Sequence, residues 1–202
     1  MVLKKELIII RHARSMHNCG QTDCLDSPIT KWGDIQSKVV GQFLSSNLDL
    51  SDFEFYTSPF LRCLQTAYNF PCGTFRVSCN LREYINHDSV DGGSVNINPR
   101  IEEFPLYDWG TFREERVYQK ETNEQLVDRL YEFYYNLPEK SLVITHGLPA
   151  LVLSHIATNT NHVIPVWDYS LDNCSITRIV NGRYIWRGRN LHYENFFKNV
   201  VV

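Results

Sequence analysis

Leu7-Ile8-Ile9-Ile10-Arg11-His12 is the stretch whose reading decides the fold. An unbroken apolar run rich in β-branched residues suits a strand buried on both faces, as in a parallel sheet. Leu142 to Thr145, followed by His146, repeats the pattern. Between these two runs, strand and helix signals alternate. Trp32, Ile35, Val39 and Phe43 recur at helical spacing, with Thr30 placed to cap and Gly41 as the weak point. Phe53 to Thr57 reads as a strand. Ser58-Pro59 then predicts a cap followed by a proline at the first helical position, with Phe60, Leu61, Leu64 and Tyr68 continuing the helix. Thr74 to Ser78 is a short strand candidate.

Further along, Thr122-Asn-Glu-Gln125 is a capping box ahead of a helix carrying Leu126, Leu130, Phe133 and Leu137. Gly147-Leu-Pro149 opens a helix through His155. Ser175 to Val180 and Arg183 to Arg187 flank Asn181-Gly182, a hairpin signal. The sum is an α/β fold: a three-layer sandwich with a mainly parallel central sheet flanked by helices, ending in an antiparallel hairpin. From Tyr84 to about Tyr118 periodicity breaks down, punctuated by Gly92-Gly93, Pro99 and Pro105. A stretch that long reads as a cap or substrate insertion of about residues 84–118 within one domain spanning 1–202.

The 202 residues are 43% hydrophobic, enough for one sizeable core, and carry a formal net charge of −3. That balance argues against a nucleic-acid polymer or an anionic membrane as partner, since such binders carry a basic surplus. The apolar run near the N-terminus is too short for a signal-peptide core or a bilayer span. The six cysteines form no C-x-x-C pair and no dense framework, so reduced thiols in the cytoplasm are expected. Cys19 and Cys24 lie near the first histidine, where inert packing is the ordinary expectation and redox sensitivity the other.

His12 and His146 both leave the carboxyl ends of predicted strands, where open α/β sheets gather ligands. Arg11 adjoins the first, and Arg62 falls in the first turn of the helix after Ser58-Pro59. Two guanidinium forks and two imidazoles on one edge suit a phosphoryl group. Guanidinium binds phosphate oxygens bidentately and keeps its charge near neutral pH. An imidazole is a competent nucleophile once its other nitrogen is held. The helix starts at Ser58-Pro59 and Gly147 would add amide donors.

Here the sequence resembles the histidine phosphatase superfamily, which includes phosphoglycerate mutase-like enzymes. Arg11-His12-Ala13-Arg14-Ser15-Met16-His17-Asn18 is similar to its R-H-G-x-[ST]-x-x-N signature, and Ser58-Pro-Phe-Leu-Arg62-Cys-Leu-Gln-Thr-Ala67 to its S-x-x-x-R-x-x-Q-T-A segment. Val143-Ile-Thr-His146-Gly147 resembles its second histidine motif, and Leu81-Arg-Glu83 falls where phosphatase members carry their acid. The resemblance implies metal-independent phosphomonoester hydrolysis, with no cofactor, through a phosphohistidine on His12. Arg11, Arg62 and His146 would bind the transferred group, with Ser15, Asn18 and Gly147 as lesser contacts. Glu83 would protonate the leaving oxygen and then take a proton from water, which requires a raised pKa from burial or nearby phosphate charge.

Ala13 replaces the family glycine, and Arg14 stands where many members have an acidic or amide residue. Asp88, Glu102 and Glu103 are rival acids in the same irregular region. The mutase alternative is disfavoured, because Cys19-Gly-Gln-Thr-Asp-Cys-Leu-Asp and Asn80-Leu-Arg-Glu-Tyr-Ile-Asn replace the segments typical of mutases. A non-catalytic phosphate-binding module would lack the nucleophile or the acid; both are in place here.

Other features have ordinary readings. His17, His87, His155, His162 and His192 fit no metal-ligand spacing. No G-x-S-x-G elbow, P-loop or dinucleotide fingerprint occurs. Tyr84, Phe104, Tyr107, Trp109 and Phe112, with Arg100, Arg113 and Arg116, could line a substrate pocket; a small core with solvated charges is the favoured reading. The substrate class stays open among small phosphorylated metabolites, nucleotides and phosphopeptides or phosphoproteins. The tail Phe196 to Val202 leaves two packings open, on its own domain or on a second copy in a homodimer.

Overall fold

The computed structural model describes residues 5–85, 94–159 and 171–191. Its central sheet has six strands in the order β3-β2-β6-β1-β7-β8. These are β1 (Glu6–Arg11), β2 (Glu54–Thr57), β3 (Phe75–Val77), β6 (Lys140–Thr145), β7 (Ile176–Val180) and β8 (Arg183–Arg189). The first four named run parallel to one another, whereas β7 is antiparallel to both β1 and β8. A separate antiparallel pair, β4 (Ser94–Ile97) and β5 (Arg116–Gln119), lies within the predicted insertion.

The period-2 geometry of β1 explains the three layers. Leu7 and Ile9 face a core shared with helices α3 (Asn123–Asn136) and α4 (Gly147–Thr158), through Leu126, Leu130, Phe133 and Leu151. Ile8 and Ile10 face the opposite core, shared with α1 (Lys31–Asn47) and α2 (Leu61–Tyr68), through Val40, Leu44 and Ala67. Each such side chain, fully buried, contributes roughly 2 kcal/mol. The strand therefore reads as one continuous apolar run because both of its faces are covered.

Local chemistry sets the ends of the elements. Thr122 and Gln125 form the capping box of α3, and Thr30 Oγ1 accepts from Gly33 N at 3.0 Å to start α1. Asn181 and Gly182 take φ of 50° and 75°, the left-handed pair that a two-residue hairpin turn requires.

Two expectations are corrected. On α1 the inward face is Gly33, Gln36, Ser37, Val40, Gly41 and Leu44, while Trp32 and Ile35 are 39% and 40% exposed. The cause is close approach. A Cβ on Gly33 would lie 2.3 Å from the Arg14 carbonyl oxygen, and one on Gly41 would lie 2.9 Å from that of Asn69. Small residues share the packed face with Val40 and Leu44, and Gly41 is a contact rather than a weak point.

The second correction concerns α2, which begins at Leu61 with Phe60 as an N-cap lacking a side-chain bond. Ser58 does not cap it, nor is Pro59 its first residue. Instead the Leu61 amide donates to Asp26 Oδ1 at 2.6 Å. That cap arrives from 35 residues upstream, beyond the reach of local pattern reading.

The described part of the insertion has its own core. Phe104, Trp109, Phe112 and Tyr118 pack with Val95, Ile97 and the α2 residues Leu61 and Leu64, while Arg113 and Arg116 stay exposed. This is the small core of the favoured reading with two of its three charges solvated; the third, Arg100, is part-buried and paired with Asp26 and Glu103. The segment is pinned beside β3 by reciprocal bonds of Asp108 with Phe75 and Val77, which covers an edge strand. Among the described residues no helix is long and apolar enough to cross a membrane. His87, Asp88, Gly92-Gly93, His162, His192 and the tail Phe196 to Val202 lie outside the described residues.

Candidate active site

Three adjacent parallel strands, β2, β6 and β1, deliver the first residues beyond their carboxyl ends to one place. Register fixes this, since Arg11 pairs with Thr145 and Thr57 with Ile144. The residues that follow are His12, His146 and Ser58. Their backbones continue the ladder, His12 N donating to Thr145 O at 2.8 Å and Ser58 N to Ile144 O at 3.0 Å. The imidazole centroids of His12 and His146 lie 5.2 Å apart.

The side chains form one unbroken chain of contacts. Ser58 Oγ lies 2.8 Å from His146 Nε2, and His146 Nδ1 lies 3.2 Å from Glu83 Oε2. Arg62 Nη2 donates to that same carboxylate oxygen at 3.1 Å, and Arg62 Nε donates to His12 Nε2 at 3.1 Å. His12 Nδ1 lies 2.8 Å from the Ala13 carbonyl oxygen.

These partners settle the tautomer of His12. A carbonyl can only accept, so Nδ1 carries the proton; a guanidinium can only donate, so Nε2 presents its lone pair. Two independent neighbours thus demand the same form, an imidazole with its unprotonated nitrogen aimed at Arg62. Burial, reinforced by the charges of Arg62, His146 and Arg11, holds the His12 pKa well below its ordinary value, so the ring is neutral near pH 7.

His146, fully buried, is pushed down to about 4, burial outweighing the opposing pull of Glu83. Burial acts to raise the Glu83 carboxyl, yet His146 and Arg62 outweigh it and hold the group well below the usual range. The expectation that burial raises the Glu83 pKa is therefore corrected, since these two neighbours outweigh it. Arg11 and Arg62 bring two positive charges to the site, and Glu83 neutralises part of them.

Arg62 is 3% exposed and fully engaged, its Nη1 donating to the Leu25 carbonyl. Arg11 runs alongside Gly147, its Nε 3.5 Å from the point where a Cβ of that glycine would stand. Its Nη1 donates to the Leu171 carbonyl, and its Nε is buried without a hydrogen-bond partner among the described residues. An orphaned guanidinium N–H beside the imidazoles is the kind of donor that an anion would satisfy. Gly147 opens α4 without a side-chain cap, leaving its N-terminal amides on this edge.

Ser15 and Asn18 are tied to each other, Ser15 Oγ donating to Asn18 Oδ1 at 3.0 Å. Asn173 joins Asn18 Oδ1 to the His12 carbonyl, so these residues frame the loop after His12. At the start of α2 the Leu61 amide is taken by Asp26 and the Phe60 amide by Ser58 Oγ, so neither is a spare donor there. Of the rival acids, Glu103 pairs with Arg100 at 2.8 Å and is exposed, as is Glu102.

Sequence reading missed several supporting residues. Ser58, taken as a cap, instead holds His146. Thr66 Oγ1 accepts from the Ala13 amide at 2.9 Å and fixes the turn after His12. The visible signal for Thr66 was its place one helical turn after Arg62.

Donor atoms of His12, Glu83 and His146 lie within 4.8 Å of one another, close enough for a metal ion. Arg62 stands among them, bonded to His12 and Glu83. Its permanent positive charge opposes a cation at that point and favours an oxyanion.

A sequence model of the histidine phosphatase superfamily (branch 1) matches residues 7–192. The chain belongs to that superfamily. Membership assigns it to proteins whose chemistry is phosphoryl hydrolysis or transfer on phosphate esters. No curated protein matches it in sequence. Among solved structures, the ecdysone phosphate phosphatase of Bombix mori, in complex with tungstate, superposes with a TM-score of 0.66 at 14% identity, covering 91% of this chain and 93% of that one. The phosphoserine phosphatase of Entamoeba histolytica, in complex with 3-phosphoglyceric acid, gives 0.58 at 18% identity over 90% and 94%. A mycobacterial glucosyl-3-phosphoglycerate phosphatase complexed with VO3 gives 0.59 at 17% identity over 86% and 92%. At these identities the likeness is one of fold.

Proposed function

We propose that this histidine phosphatase superfamily member is a metal-independent phosphomonoester hydrolase that works through a phosphohistidine on His12. One observation carries the reading: His12 Nδ1 is held by the Ala13 carbonyl while Nε2, unprotonated, faces Arg62 within reach of Glu83. In the first step Nε2 bonds to phosphorus as the ester P–O bond breaks, and the leaving oxygen takes the proton of Glu83. In the second, water attacks phosphorus, Glu83 receives its proton, and the P–N bond returns its electrons to His12. Arg62, Arg11 and His146 carry the charge of the equatorial oxygens, a role for fixed donors in a site sheltered from water.

Glu83 must be protonated to act first, whereas His146 and Arg62 favour its ionised form. An arriving dianion draws Arg62 onto its own oxygens and adds negative charge beside the carboxyl, and both effects raise the Glu83 pKa. The substrate is a small phosphorylated metabolite, a nucleotide or a phosphoprotein. Ecdysone, serine and glucosylglycerate phosphates are the named substrates of the three structural relatives, which supports a shared phosphoryl pocket and a variable remainder. A cytosolic setting goes with this reading and is supported by six unpaired cysteines.

The test is hydrolysis of p-nitrophenyl phosphate in excess chelator. Full activity in the wild type and loss in His12→Ala are expected. Abolition by the chelator, or activity surviving in His12→Ala, would reject the reading.

A further inference from the structure

Glu83 sits in an irregular stretch after the short helical turn Cys79–Leu81, a poor platform for a group that must meet a leaving oxygen within a fraction of an ångström. Its backbone is nevertheless held on both sides. Arg129 Nη1 donates to the Asn80 carbonyl at 2.5 Å, and Arg129 Nη2 donates to the Arg82 carbonyl at 3.1 Å. Between them, Thr145 Oγ1 donates to the Leu81 carbonyl at 2.7 Å. Beyond Glu83, the Glu121 amide donates to the Ile85 carbonyl at 3.0 Å.

Arg129 is itself locked. Its Nε and Nη2 grip both oxygens of Glu121 at 2.8 and 2.6 Å, and Arg82 Nη2 adds a third bond to that carboxylate at 2.9 Å. Glu121 and Arg129 are 6% and 7% exposed. A buried, bidentate ion pair of this kind gives little net stability compared with apolar packing, but it fixes geometry in a way apolar packing cannot. Arg129 occupies the inward stripe of α3 beside Leu126 and Leu130, where an apolar residue would serve stability as well.

We infer that Arg129, locked by Glu121, is a positioning residue that aims Glu83 at the leaving oxygen. The inference rests on Glu83 being the proton donor. Arg129 touches three backbone or carboxylate partners and none of the reacting groups; its charge also reaches His146, and because Arg129→Lys keeps that charge, what the lysine variant removes is the grip on the Asn80–Arg82 backbone. Removing it leaves Arg62, His12 and His146 in place and frees the acid to wander. General-acid assistance matters most when the leaving group is a poor one, so the defect should depend on the leaving group.

The experiment compares Arg129→Lys and Glu121→Gln with Glu83→Gln, using p-nitrophenyl phosphate and an alkyl phosphate such as glycerol phosphate. Lysine keeps the charge but cannot bridge two carbonyls and a carboxylate; glutamine keeps the shape of Glu121 and loses its charge. Folding is checked by thermal unfolding, and the phosphoryl pocket by the Kd for tungstate. For whichever variant folds, kcat on the alkyl phosphate should fall at least about tenfold and on the aryl phosphate by less than about threefold, with tungstate affinity unchanged. Equal losses on both substrates, or none on either, would overturn the positioning role. A Glu83→Gln enzyme that itself shows no preference for good leaving groups would overturn the acid assignment, and the positioning role with it.

Discussion

Arg62 Nε donates to His12 Nε2 across 3.1 Å, so this guanidinium takes up the lone pair of the ring's unprotonated nitrogen. The same guanidinium holds Glu83. Under the proposed mechanism, binding of a phosphoryl group exchanges both contacts for phosphate oxygens, which would couple substrate arrival to release of His12 and of Glu83.

Arg62→Lys should lower kcat/KM for an aryl phosphate by about 10²- to 10³-fold, the usual cost of losing a preorganised donor. A lysine offers a point charge in place of a fork and cannot span His12, Glu83 and the Leu25 carbonyl together. Steady-state kinetics on a folded variant check this; a loss of less than about threefold would contradict it.

Oxyanion binding should be accompanied by proton uptake. The neighbours of Glu83 favour its ionised form and burial favours neutral His12 and His146, and a bound dianion would raise the pKa of all three. Tungstate titrated near pH 7 in two buffers of different ionisation enthalpy should show a net uptake of up to about one proton per site. Proton release would contradict the electrostatic description.

Much of this was legible in the sequence because it is local. The strand ends that carry His12 and His146 follow from short apolar runs, and the α3 cap follows from four adjacent residues. What escaped was non-local. Asp26 caps α2 from a distant loop, and the packed face of α1 is marked by Gly33 and Gly41, which no apolar pattern weighs. The charge state of Glu83 also escaped, since it depends on which neighbours the fold assembles. Arg129 left a trace, a charged residue within the apolar stripe of α3, whose meaning needed the backbone it grips.

Stability should fall with acidification between about pH 6.5 and pH 4. A histidine whose folded pKa is depressed binds its proton in the unfolded chain first, so stability is full above the unfolded value and is lost as pH falls toward the folded one. For His146, the drop from 6.5 to about 4 corresponds to roughly 3 kcal/mol. His12, shifted in the same direction, adds to the loss, and Glu83 extends it to lower pH because its folded pKa is depressed below the usual carboxylate range. Urea unfolding at several pH values checks this; a flat profile over that window would contradict neutral burial of the two rings.

The most direct measurement is rapid acid-free quenching of the enzyme after brief mixing with a ³²P-labelled phosphomonoester, followed by peptide mapping. The account predicts alkali-stable, acid-labile label on the peptide carrying His12, formed as fast as turnover and absent from His12→Ala. Turnover with no such label, or label that persists in His12→Ala, would contradict it.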